Sequence, residues 1–149
     1  MVQATPVLLV LSLALVAPGL STRKCVLTGR WRNDLGSNMT IEAVDSKGDF
    51  SGSYHTAVAD YPSTIKVSPL QGSQHRTDQN RQPTFGFTVN WNFSDSVSVF
   101  TGQCFVDEKG REVLKTMWLL RLCVGNITDD WKATRVGTNV FTRLQPQKE

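Results

Sequence analysis

The sequence predicts an all-β protein, a single eight-stranded antiparallel up-and-down β-barrel, and three observations carry that prediction. Apolar residues recur in short alternating runs, as strands with one buried face require. The runs are separated by turn chemistry: Asp45-Ser46-Lys47-Gly48 and Asp107-Glu108-Lys109-Gly110 read as hairpin turns whose glycine takes positive φ. Beyond the amino terminus no window has convincing helical periodicity, and no repeat, heptad or low-complexity block interrupts the pattern. Eight strands with mostly short connections favour closure, because closure removes the unpaired edges of a flat sheet.

Residues 1–21 stand apart. An uncharged apolar run from Val7 to Val16 is followed by Ala17-Pro18-Gly19-Leu20-Ser21, with small residues near its end. This reads as a secretory signal peptide, although its first residues lack the usual Lys or Arg. A membrane anchor is the competing reading, and the run is short for a span. Cleavage after Ser21 leaves residues 22–149 as one domain, large enough to bury a core.

Strands are expected at about 27–33, 38–44, 49–56, 65–71, 84–92, 96–106, 112–123 and 132–143. Side-chain parity then separates inner from outer residues. Along 112–123, Trp118, Leu120 and Leu122 share one face while Met117 and Leu119 occupy the other. The last strand repeats the arrangement, with Asn139 and Phe141 opposite Val136 and Val140. A monomeric barrel needs only its interior apolar, so the second apolar face predicts a subunit interface.

The net charge of +3 is mild and the Lys and Arg residues are scattered. Nucleic-acid binding would call for a clustered basic stripe. Three cysteines in a secreted chain imply one bridge and one remainder. The sequons at Asn38, Asn92 and Asn126 (Asn38-Met39-Thr40, Asn92-Phe93-Ser94, Asn126-Ile127-Thr128) fit the secretory route.

The four tryptophans carry the functional signal. Trp31-Arg32-Asn33, Trp91-Asn92-Phe93-Ser94, Trp118-Leu119-Leu120 and Trp131, with Asn139 following, set an aromatic ring beside a short polar residue near a strand end. Aromatic walls with a few polar groups describe a buried pocket for a small, mostly apolar ligand with one compact polar head. Taken singly, each group has an ordinary explanation. Buried Trp and Phe are usual barrel core, Asn33 and Ser37 flank Leu35-Gly36 as turn caps would, and Tyr54, Thr56 and Asn139 suit satisfied buried polar groups.

The chain resembles the avidin family over essentially all of residues 22–149. Leu35-Gly36-Ser37-Asn38-Met39-Thr40, Gln82-Pro83-Thr84-Phe85-Gly86-Phe87-Thr88-Val89-Asn90-Trp91 and Asp129-Asp130-Trp131-Lys132-Ala133-Thr134-Arg135-Val136-Gly137 carry the resemblance. It implies a barrel that binds biotin at one open end, assembles as a homotetramer and performs no catalysis. No cofactor, metal, nucleic acid or membrane is implied. Asn33, Ser37 and Tyr54 match three donors aimed at the ureido oxygen, and Thr56 and Asn139 match acceptors for the ureido nitrogens. Trp91, Phe93, Phe100 and Trp118 match the aromatic box, and Leu35 and Leu120 add apolar wall. Trp131 matches a residue that closes a neighbouring subunit's pocket. Ser94 and Ser96 match partners of the ligand carboxylate.

The resemblance also pairs Cys25 with Cys104, which leaves Cys123 as either a disulfide between subunits or a small capped thiol. Four departures stand out. The loop Ala57-Val58-Ala59-Asp60-Tyr61-Pro62 puts Ala59, Asp60 and Tyr61 where the carboxylate would approach. Ser98 replaces a threonine that touches the ring sulfur, Leu122 replaces a serine, and Thr138 replaces an interface isoleucine.

Two other functions compete with this expectation. A lipocalin-like carrier of another small apolar ligand would share the barrel, and biotin would then give no saturable heat. A hydrolase is poorly supported, because neither His55 nor His75 lies near a nucleophile and a carboxylate by strand parity, and no metal-ligand spacing occurs. His55 points away from the face that holds Tyr54 and Thr56, and His75 falls in a loop.

Overall fold

The computed structural model describes residues 23–59, 65–76 and 81–145. The proposed signal segment, Asp60 and Tyr61 lie outside the described residues. Eight strands close into an antiparallel barrel in chain order, β1 (Gly29–Asn33), β2 (Asn38–Ile41), β3 (Asp49–His55), β4 (Ser68–Gln74), β5 (Thr84–Asn90), β6 (Val97–Val106), β7 (Glu112–Arg121) and β8 (Thr134–Arg143). Closure is made by β1 against β8, with Trp31 opposite Arg143 and Asn33 opposite Phe141.

Both anticipated hairpin turns form, and by the same device. Asp45 Oδ1 accepts from the N–H groups of Lys47 and Asp49 at 2.8 and 2.9 Å. Asp107 Oδ1 accepts from Lys109 and Arg111, both at 2.9 Å. Gly48 and Gly110 close these turns at φ of +95° and +76°, a region that a Cβ disfavours. The same hydrogen bonds hold the carboxyl groups of Asp45 and Asp107 below the usual aspartate range.

Two expectations need correction. The fourth strand begins at Ser68, three residues later than its apolar pattern suggests, since Val67 is exposed and the buried alternation starts with Ser68 and Leu70. The last connection is not purely extended: Ile127–Lys132 forms a 3₁₀ turn capped by Asn126, whose side chain accepts from Thr128 N–H. Its signal was local, an N-cap asparagine ahead of Asp129 and Asp130, and too short for a periodicity search to register.

Alternate residues of each strand fill the interior. Phe85, Phe87 and Val89 of β5 and Phe100 and Cys104 of β6 are buried with Trp31, Met39, Ile41, Leu70, Leu114 and Phe141. Phe87 stacks on Phe100 at 4.6 Å between ring centroids, which fixes the middle of the barrel. The Cys25–Cys104 disulfide ties the segment before β1 to β6 across a separation of 79 residues. On the chain-entropy account a loop of that length contributes about 4 kcal/mol.

The end of the barrel where β1 begins is plugged by a polar latch. Arg143 Nε donates to Glu112 Oε2 at 2.6 Å, its Nη atoms donate to the carbonyls of Thr28 and Val26, and its guanidinium lies 4.2 Å from the Trp31 ring centre. Glu112 Oε1 accepts from Val26 N–H at 2.8 Å. Strands β7 and β8 are thereby locked to the incoming chain, and ligand access is left to the opposite end.

Candidate functional site

The opposite end holds a cavity of about 450 Å³, a volume suited to a small molecule. The strand ends bring together Asn33, Leu35, Ser37, Tyr54, Thr56, Ala59, Trp91, Phe93, Ser94, Ser96, Ser98, Phe100, Trp118, Leu120 and Asn139, each of which sequence reasoning had placed there. Val58, Leu122 and Arg135 also line it and were not among the expected site residues. Parity could have found two of them, since Leu122 follows Leu120 on one face and Arg135 pairs directly with Leu120. Trp131 does not line its own chain's cavity; it sits on the 3₁₀ turn, 81% exposed.

The apolar walls are held by their own contacts. Trp91 donates through Nε1 to Ser98 Oγ at 2.9 Å, which sets the plane of the indole. Phe93 leans on Trp91 at 5.7 Å. Trp118 packs across β8 at Gly137, where a Cβ would fall 2.2 Å from the indole. Any side chain there would displace the ring, so glycine at this strand position makes room for the wall.

At the floor, three polar side chains are committed in a way that leaves donors for a ligand. Asn33 Oδ1 accepts from Leu35 N–H at 3.0 Å and Ser37 N–H at 2.8 Å, holding the β1–β2 turn. Its amide nitrogen therefore faces inward and donates to the Tyr54 oxygen at 3.2 Å. Ser37 Oγ accepts from Ala57 N–H at 2.9 Å. The Tyr54 oxygen already accepts from Asn33 and lies within hydrogen-bonding reach of the Ser37 hydroxyl, and its own proton remains to offer. Turn capping and site building are thus the same event for Asn33.

Tyr54 is 3% exposed and packs against Trp91, Phe100 and Phe141. Burial pushes its phenol up to about 12, opposed by Ser37 and Asn33 and assisted by the Asp34 charge. The group stays a protonated donor throughout the physiological range.

The residues beside these donors have the opposite polarity. Asn139 is 4% exposed, and its Nδ2 donates to Asp34 Oδ1 at 2.9 Å, which leaves its carbonyl oxygen for the cavity. Thr56 Oγ1 donates to Val58 O at 2.9 Å and accepts from Val58 N–H at 3.1 Å. One lone pair of that hydroxyl remains. At the rim, the Ser94 and Ser96 hydroxyls contact each other, and Arg135 is the one charged residue among the described lining. His55 is exposed on the outer face, as parity required.

Clustered donors beside acceptors, boxed by aromatic rings at one end of a closed barrel, define a small-molecule binding protein. Residues 21–144 match the model of the avidin family. The chain is 66% identical to avidin of Gallus gallus, with all of both chains covered. Its structure is similar to that of AVR2, with a TM-score of 0.79 and 64% identity over 83% of this chain and 99% of that one. It is also similar to a biotin binding protein from chicken, with a TM-score of 0.78 and 61% identity over 83% of this chain and all of that one. The chain belongs to the avidin family.

Proposed function

We propose that this protein is a secreted biotin binder that sequesters the vitamin in the barrel cavity without chemistry on it. The observation that carries the reading is the polarity of the floor. Three donors (Asn33, Ser37, Tyr54) lie beside two acceptors (Thr56, Asn139), the complement of a cyclic urea. Fixed donors in a dry site bind a urea oxygen strongly because little reorganisation is needed. Trp91, Phe93, Phe100 and Trp118 hold the ring system, with Leu35 and Leu120 as further wall. Ser94, Ser96 and Ala59 line the part of the cavity where the ligand's acid tail would lie, and Ser98 takes the position expected to face the ring sulfur.

The assembled form is a homotetramer. The outward residues Val99, Met117, Leu119 and Val136 are 41%, 53%, 48% and 63% exposed, and register sets Leu119 beside both Val99 and Val136. A contiguous apolar strip on the outside of a barrel supports burial against another copy. Trp131 belongs to that assembly as the cover of a neighbour's cavity. Cys123, an exposed free thiol, is either the site of a disulfide between subunits or a capped thiol; only monomer on a non-reducing gel, with thiols alkylated beforehand, excludes the bridge. Residues 1–21 act as the signal peptide, and Asn38, Asn92 and Asn126 are the candidate sites for glycans.

Isothermal titration with biotin, combined with solution mass before and after ligand, tests the whole reading. A saturable exothermic titration on a species of four chains is expected. A carrier of the lipocalin type gives no saturable heat with biotin, and that result refutes the proposal.

A further inference from the structure

We propose that Asp34 is the positioning residue that decides which end of the Asn139 amide faces the ligand, so that β8 presents an acceptor and selects heads carrying N–H. The biotin reading supplies the probe for this inference, while the orientation itself is testable without ligand.

A primary amide offers C=O and NH₂ with nearly the same shape, so its sense in a pocket is decided by the partner at its other end. For Asn139 that partner is a carboxylate. Asp34 Oδ1 accepts from Asn139 Nδ2 at 2.9 Å and lies 3.4 Å from Val140 N–H. Flipping the amide would set its carbonyl oxygen against a carboxylate oxygen, two acceptors with no proton between them. The flipped state is thereby disfavoured, and the inward oxygen is enforced.

Asp34 is itself fixed. Its backbone N–H donates to Val140 O at 3.0 Å, extending the β1–β8 seam by one residue beyond Asn33. Two adjacent residues of one turn therefore orient two asparagines in opposite senses. Asn33 spends its carbonyl on the turn and shows nitrogen to the cavity, and Asp34 takes the nitrogen of Asn139 and leaves its oxygen there. The cavity matches an N–H-bearing head only while the second of these arrangements holds.

The test is a thermodynamic cycle on biotin affinity with Asp34→Ala, Asn139→Ala and the combined variant, plus Asp34→Asn. Removing a charge-assisted acceptor should weaken biotin about tenfold in Asp34→Ala. Asp34→Asn keeps an acceptor oxygen and should stay within about threefold of wild type. Because Asp34 acts through Asn139, the combined variant should be no weaker than Asn139→Ala alone. A loss equal to the product of the two single losses, or an unchanged Asp34→Ala, overturns the proposal. Asp34→Lys covers a poorly folding Asp34→Ala: a side chain that only donates draws the Asn139 oxygen outward and should weaken biotin by at least the same factor, and wild-type affinity in it is equally fatal. In the ligand-free protein, the Asn139 side-chain amide protons should exchange measurably more slowly in wild type and Asp34→Asn than in Asp34→Ala. Slow exchange in a protein that gives no heat with biotin upholds the Asp34 assignment and sinks the biotin reading alone. Equal exchange in wild type and Asp34→Ala sinks the assignment whatever biotin does.

Discussion

Asn33 donates through Nδ2 to the phenol oxygen of Tyr54 at 3.2 Å, and that single contact sets the chemistry of the cavity floor. The phenol accepts from the protein and keeps its own proton for a ligand acceptor. Tyr54→Phe should weaken biotin by about 1 to 3 kcal/mol, the usual loss for a buried donor whose partner is left unsatisfied. The change belongs in the dissociation rate, since the packing of the ring on Trp91, Phe100 and Phe141 is retained. A variant that releases biotin at the wild-type rate removes Tyr54 from the site.

The same residue imposes an alkaline limit on stability. Its phenol is pushed up to about 12 in the folded chain, against 10.0 when unperturbed. Below pH 10 both states hold the proton and the folded state has no disadvantage. Between pH 10 and 12 the unfolded chain ionises first, so stability falls as pH rises, by roughly 2 to 3 kcal/mol in all. Alkali acts on the rest of the chain as well, so Tyr54→Phe is the control. Denaturant midpoints from pH 9 to 12 should fall less steeply in the variant, and parallel curves would show that the phenol is not the cause.

The barrel was legible because its alternation is strict and its turn chemistry repeats, as at Asp45–Gly48 and Asp107–Gly110. Cavity residues were legible for a different reason. Tyr54, Trp118, Leu120 and Asn139 follow from parity once a strand is placed, and their joint role followed from family resemblance rather than from any one of them. What stayed hidden was the commitment of atoms. Sequence offers Asn33 as a turn cap or as a donor, and only hydrogen-bond geometry shows that one end of the amide serves each purpose. Asp34, exposed and one residue away, carries no periodic or motif signal, because its partner is on the last strand.

At the plugged end, burial of Glu112 raises its carboxyl, but the hydrogen bonds to Arg143 and Val26 and the charges of Arg143 and Arg23 outweigh burial and hold it below the usual glutamate range. A lowered folded value means that its contribution is present above about pH 4.5 and is lost as pH falls through the folded value. Glu112→Gln should cost about 1 to 3 kcal/mol near neutrality through the weakened pairing with Arg143. The cost should shrink as pH falls through the folded value and the native carboxyl takes up its proton. Thermal melts from pH 7 downward follow the difference; a deficit that stays equal over the whole acid range rules out an ionic latch.

Arg135 stands at the mouth of the cavity, paired in register with Leu120. Its positive charge there would favour a ligand whose outer end is a carboxylate. Because the side chain is exposed, screening keeps the effect small. Arg135→Gln should weaken biotin about two- to fivefold and leave the neutral biotin amide unchanged. Raising the ionic strength should erase the difference. Equal losses for acid and amide would mean that Arg135 acts through packing rather than charge.

Trp131 is 81% exposed on a 3₁₀ turn that contributes no buried residue. A large aromatic ring in water at the end of a ligand-binding barrel is expected to be covered, and in the proposed tetramer the cover would be the neighbouring cavity of a second subunit. If so, ligand and interface stabilise each other, since whatever binds only the assembled form must favour assembly. Trp131→Lys should therefore speed biotin release and loosen the tetramer toward dimers while the isolated barrel keeps its fold. The local structure gives that last expectation its basis. The turn is held by the Asn126 cap and by the Lys132–Asp129 and Arg121–Asp130 pairs, none of which uses the indole. Packing of Trp131 within its own chain would instead predict a lowered melting temperature at constant subunit number. Light scattering and thermal melts, each with and without biotin, separate the two. A variant that remains a tetramer with wild-type biotin kinetics would show that the cavity is complete within one chain.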